Sequence, residues 1–94
     1  MAAVGVVTFE LRIEHARSLK DKRQVVKSLK DRLRARFNVA VAEIDYQDVW
    51  QRAAIAAVTV SSAKEKAEET LQRVEADAAN VLGAMLVRAD VEWL

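Results

Sequence analysis

Val4-Gly5-Val6-Val7-Thr8-Phe9-Glu10-Leu11-Arg12-Ile13-Glu14 is followed, after a short break, by Ser18-Leu19-Lys20-Asp21-Lys22-Arg23, and the change of rhythm between the two decides the fold. In the first stretch Val7, Phe9, Leu11 and Ile13 alternate with Val6, Thr8, Glu10 and Arg12. That is the period of a strand with one face buried. In the second, Leu19, Val26, Leu29, Leu33 and Phe37 recur at helical steps. Ser18 is a favourable N-cap, and Asp21 sits three residues on, where it can return a hydrogen bond and meet the positive end of the helix dipole. Asn38 is placed to stop the helix in a left-handed conformation.

The same alternation of elements then repeats. Val39–Asp45 reads as a second strand. Tyr46-Gln47-Asp48-Val49-Trp50 forms a hairpin or short loop, and Gln51–Ser61 is a third strand, apolar on both faces through Ala53, Ala54, Ile55, Ala56, Ala57 and Val58. Ser62-Ala63-Lys64-Glu65 matches a capping box and opens a second helix with the apolar stripe Ala67, Leu71, Val74, Ala78 and Val81. Lys64–Glu68 and Glu69–Arg73 are spaced as ion pairs along it. Gly83 supplies the turn into a fourth strand, Met85–Trp93.

Two β-α-β halves give an α+β fold: a ferredoxin-like β-α-β-β-α-β plait. Its four-stranded antiparallel sheet has the order 4-1-3-2, with both helices on one face. The chain of 94 residues reads as a single domain, 1–94. The apolar share of 52% is enough for a core. The absence of Cys removes disulfides and thiolate chemistry and suits a reducing compartment, so a cytoplasmic location is expected. The N-terminus has no positively charged region of a signal peptide, and no apolar run reaches membrane-spanning length.

The net charge of +1 conceals an asymmetry. Residues 12–36 hold ten basic and three acidic side chains, and residues 37–94 hold five basic and ten acidic. Such a field steers anionic partners. Lys20, Arg23, Lys27, Lys30 and Arg34 fall within about 80° of the helical wheel. With Arg17 at the mouth of the helix they form a candidate surface for RNA or another anion. The alternative is a solvated face whose long stems cover the edge of the core. Lys22 points to the core side and is expected to pair with Glu43, Asp45 or Asp48, or to snorkel. Tyr46, Trp50 and Arg52 are candidate recognition residues of the hairpin, or else close one end of the core. His15 stands alone, so no metal cluster and no cofactor site is read.

Ser18–Arg23, Arg36-Phe37-Asn38-Val39-Ala40-Val41-Ala42-Glu43 and Gln47-Asp48-Val49-Trp50-Gln51-Arg52-Ala53 resemble the YlxP-like family of bacterial proteins of unknown function. The resemblance implies a ferredoxin-like fold and a gene neighbourhood shared with translation and ribosome-maturation factors. It supplies no established activity and no catalytic residue. Relatives often carry Pro-Gly after the first strand, where this chain has Glu14-His15-Ala16-Arg17.

Three functions follow as expectations. The first is a non-enzymatic accessory factor that binds RNA or a ribosomal subunit through the basic helix. The second is a homodimer or protein-interaction module using the open sheet face, motivated by Val6, Ala54, Ala56, Leu86 and Leu94. The third and weakest is a phosphate hydrolase of the acylphosphatase type. That chemistry needs a phosphate-cradling loop, of which only Arg17 is present.

Overall fold

Gly5, Val7, Phe9 and Leu11 are buried while Val6, Thr8 and Glu10 between them stay half-exposed, so the alternation of the first strand is realised in burial. A computed structural model describes all residues, 1–94. Its elements are β1 (Ala3–Arg12), α1 (Leu19–Arg36), β2 (Ala40–Asp45), β3 (Arg52–Ser61), α2 (Lys64–Leu82), a single 3₁₀ turn (Gly83–Met85) and β4 (Leu86–Trp93). The sheet order is β2-β3-β1-β4, and every neighbouring pair is antiparallel. Both helices lie on one face, as expected.

Between the sheet and the helices lies one core. It joins Val7, Phe9 and Leu11 of β1 and Ile55 of β3 with Val26, Leu29 and Leu33 of α1 and Leu71 and Val74 of α2. Each fully buried aliphatic side chain of this kind contributes about 1.5–3 kcal/mol over leaving it in water. Gly5 is buried for a different reason. It pairs across the sheet with Trp93, and a Cβ there would stand 2.7 Å from both the Trp93 ring and Leu71 Cδ1. The glycine leaves room for the edge of the Trp93 ring to approach the strand.

Several local expectations are corrected. β1 ends at Arg12, not Glu14, although Ile13 is still fully buried and its N–H donates to the Gln51 carbonyl at 2.9 Å. The Asp21 carboxylate accepts from the Arg17 N–H at 2.9 Å, one residue before the cap. Ser18 Oγ does accept from the Asp21 N–H. α1 stops at Phe37 in extended backbone, so Asn38 takes no left-handed turn. The capping box of α2 does not form. Ala63 is the cap residue, and Ser61 Oγ, one residue before Ser62, accepts from the Ala63 N–H. Leu82, not Val81, completes the buried stripe of α2, since the last step of the stripe from Ala78 is four residues and not three; Gly83 then turns with φ +54. Glu69–Arg73 forms at 2.7 Å, whereas Lys64 instead sits 5.1 Å above the Trp93 ring. Leu86 is not an outward residue. A register shift between Glu10 and Leu11 pairs it with fully buried Leu11 and packs it against the core.

Candidate nucleic-acid interface

Folding sorts the eight cations of α1 into three groups. Lys22 goes inward. It is fully buried, and Nζ lies 2.9 Å from Glu43 Oε2. Nζ also donates to the Tyr46 carbonyl at 2.7 Å, the Gln47 carbonyl at 3.1 Å and, more weakly, the Arg52 carbonyl at 3.4 Å. Of the three carboxylates considered for Lys22, Glu43 is therefore the partner. Its Oε2 lies off the direction of a good hydrogen bond and is held by charge alone. A buried ammonium is tolerable when charge and several acceptors replace its water, and here they do.

Arg32 and Arg36 turn toward α2. Arg32 makes a two-point contact with Asp77, Nε to Oδ2 at 2.8 Å and Nη2 to Oδ1 at 3.0 Å, and Arg36 Nε lies 3.6 Å from the same carboxylate. The Arg32 hydrogen bond, reinforced by both positive charges, holds the Asp77 carboxyl below the usual carboxylate range. Paired forks of this kind are directional and locate one helix against the other.

Lys20, Arg23, Lys27, Lys30 and Arg34 remain on the outer face, exposed except for half-exposed Lys30. They form a ridge roughly 21 Å long at 1.5 Å per residue. Four of them, Arg23, Lys27, Lys30 and Arg34, line one shallow groove of about 390 Å³ with Val26, Asp31 and Glu43, between α1 and the edge strand β2. Arg34 Nη2 donates to the Val41 carbonyl of that strand at 2.8 Å and so bridges the groove. Lys27 pairs with Asp31, and this hydrogen bond, with the charges of Lys27, Arg34 and Lys30, lowers the Asp31 pKa. Glu43 is already balanced by Lys22, so the groove keeps an excess of positive charge. Lys20 lies on the same helix face nearer the N-terminus, and exposed Arg17 lies in the preceding loop.

The hairpin candidates separate. The Arg52 guanidinium stacks 4.1 Å from the Tyr46 ring centroid, donates to Tyr46 Oη at 2.9 Å and pairs with Glu10 at 2.6 Å. Glu10 lies on the sheet face without helices, so Arg52 and Tyr46 belong to that face and not to the α1 ridge. The register Arg12↔Arg52 places Arg12 there too. Tyr46 takes φ +63, with its N–H on Asp45 Oδ1 and its carbonyl on Lys22. Trp50 stands apart from that stack, 51% exposed on the loop. Gln51 ties this loop to the β1–α1 loop by donating to the Glu14 and Ala16 carbonyls.

At the start of α1 the Arg17 and Asp21 N–H groups are bonded to Asp21 and Ser18, which occupies donors that a phosphate cradle would use. His15 lines a separate depression with Arg12, Glu14, Ala84, Met85 and Val87. No group of three or more metal-ligating side chains occurs. No helix is long and apolar enough to cross a membrane.

Two features of the site were missed in the sequence. The Arg34 tether to the β2 backbone leaves no residue-type signal. Asp77 did leave one: an acid beside the core positions Val74 and Ala78 needs a counterion from the facing helix.

Comparison with solved structures supports the fold. A de novo designed protein, Foldit4, aligns with a TM-score of 0.63 at 14% identity, covering 100% of this chain and 97% of that one. A dimeric ferredoxin-like protein of unknown function from Thermobifida fusca aligns with a TM-score of 0.51 at 15% identity, covering 97% and 90%. In sequence, the uncharacterized protein YlxP of Bacillus subtilis (strain 168) is 44% identical over 71 residues, 76% of this chain and 77% of that protein. The family described as "Protein of unknown function (DUF503)" matches residues 4–91. With nearly the whole chain matched, this protein belongs to the DUF503 family of proteins of unknown function.

Proposed function

We propose that the protein is an accessory factor that binds RNA, as free RNA or within a ribosomal particle, through the outer face of α1. The observation that carries this reading is the groove in which Arg23, Lys27, Lys30 and Arg34 converge, while Lys22, Arg32 and Arg36 of the same helix are consumed by Glu43 and Asp77. A cationic ridge on a helix that is pinned on two sides can follow a phosphate backbone without paying much ordering entropy. The sheet is a poorer surface for RNA. Phe9 is fully buried under the helices, the open side of β1 presents Val6, Thr8 and Glu10, and the Tyr46 ring at the edge of that face is already covered by the Arg52 guanidinium, so bases find little to stack on there. The gene neighbourhood implied by the family resemblance points to the same class of partner.

The test is co-sedimentation with ribosomal subunits, and filter binding to a short structured RNA, at about 50 and 200 mM salt. Four neutralised phosphates give about a hundredfold loss of affinity over that range. Lys27→Glu/Lys30→Glu is expected to abolish association in a folded protein. Association that persists in that variant, or none in the wild type at low salt, rejects the proposal.

A further inference from the structure

The face of the sheet opposite the helices carries no cover, and its character is unlike that of α1. Its apolar part runs across three strands: Val6 on β1, Ala42 and Ile44 on β2, and Ala56, Val58 and Val60 on β3. Ile44 is 52% and Val60 55% exposed. Large branched side chains left in water on a sheet otherwise floored by alanine mark a contact surface. The rest of the face is charged but nearly balanced. Glu10, Asp45, Asp90 and Glu92 stand against Arg12, Arg52 and Arg88, a net of one negative charge, and two internal pairs, Arg52–Glu10 at 2.6 Å and Arg88–Asp90 at 2.7 Å, neutralise most of it.

We propose that this face is covered by a second copy of the same chain, packed sheet to sheet about a two-fold axis. Three observations select this occupant. First, a face with nearly balanced charges repels its own copy little and offers little to a polyanion, whereas the α1 ridge does the reverse. Second, the face measures on the order of 500–600 Å² in projection, from strands rising about 3.3 Å per residue and lying about 4.8 Å apart. Two such faces together hide roughly 1,100 Å² or more, which clears the ~1,000 Å² expected of a specific interface. Third, the face is self-complementary along β3. Exposed Val60 projects near one end. Near the other, Ala54, 8% exposed, floors a depression of about 220 Å³ walled by Thr8, Ile44 and Tyr46 and rimmed by the charged side chains of Glu10, Asp45, Arg88 and Asp90. A two-fold axis crossing β3 at Ala57 sets Val60 of each copy over the Ala54 depression of the other, the isologous arrangement of a closed dimer. The helices cover the opposite face, so both α1 ridges stay outside the dimer.

The experiment is light-scattering mass and sedimentation velocity of the full chain over a concentration series, with far-UV circular dichroism as the check on folding. The wild type is expected at twice the 10.5 kDa chain mass. Val60→Glu and Ala42→Glu, both at exposed positions outside the core, are expected to give the single-chain mass with unchanged dichroism. A wild-type mass of one chain at the highest concentration overturns the proposal. So does a dimer that survives both substitutions, which would place the contact on another surface. Loss of RNA binding in Val60→Glu with a monomeric wild type would assign the face to RNA and overturn it as well. Lys27→Glu/Lys30→Glu leaves the dimer mass intact, so failure of this inference and failure of the RNA reading are told apart.

Discussion

Lys22 Nζ lies 2.9 Å from Glu43 Oε2 in a place with no solvent at the lysine, and the same ammonium donates to the backbone of the β2–β3 loop. One side chain from the first turns of α1 therefore neutralises an acid on the edge strand and holds the loop that turns back into the central strand. The two roles are separable. Glu43→Gln keeps the loop contacts, while Lys22→Met removes both and leaves Glu43 without its counter-charge and three carbonyls without their donor.

Lys22→Met is accordingly expected to cost about 3–5 kcal/mol, the usual penalty for breaking a buried pair from one side. Glu43→Gln is expected to cost distinctly less. Urea unfolding of both variants measures this. Equal losses would mean that the loop carbonyls contribute nothing.

The Arg32–Asp77 fork makes stability depend on acid. Asp77 titrates lower in the folded chain than its ordinary value of about 3.9. A group with a depressed folded pKa contributes its stabilisation above the unfolded pKa and loses it as pH falls through the folded one. The melting temperature of wild type should therefore exceed that of Asp77→Asn by a constant margin above about pH 5. The margin should shrink as pH is taken below about 4. A margin independent of pH down to pH 2 would show that the carboxylate charge is not what joins the helices.

Gly5→Ala introduces a methyl group where Leu71 and Trp93 already stand at 2.7 Å. Overpacking of this sort costs typically about 1–3 kcal/mol, and near-ultraviolet dichroism should report a displaced Trp93 ring. The opposing benefit, lower chain entropy than glycine in a strand, is below about 1 kcal/mol, so the net sign is a loss.

Ser18→Ala removes the hydroxyl that accepts the Asp21 N–H and should cost about 1 kcal/mol in thermal or urea unfolding. Ser62→Ala should leave stability nearly unchanged, since Ser62 is exposed and forms no cap bond of α2. The pair of measurements separates a cap that forms from one that only its sequence suggests.

The order of elements, the two amphipathic helices and the plait itself were legible in the chain. Each strand and helix carries its own hydrophobic period, and two β-α-β units leave few ways to bury the faces. What failed was local. The α2 capping box, the Asn38 stop and the Lys64–Glu68 pair are all spaced correctly, yet Ser61, extended Phe37 and the Trp93 ring offered competing partners from nearby backbone or another strand. The β4 bulge at Val87, opposite Glu10 and Leu11, reversed the face of Leu86, because one extra residue in a period of two turns a side chain over.

The candidate site divides the same way. The sequence by itself determined that α1 bears a ridge of five cations, since helix geometry alone brings Lys20, Arg23, Lys27, Lys30 and Arg34 to one side. Only the tertiary structure decided which of the helix's cations are spent on the protein's own acids. Lys22 meets Glu43 from β2, and Arg32 and Arg36 meet Asp77 from α2, across separations in the chain that no local period encodes. The same packing divided the hairpin, drawing Tyr46 and Arg52 to Glu10 on the open sheet and leaving Trp50 outside. Charge pairing is settled by distance in space, and distance in space is fixed only when the sheet and both helices have closed on one core.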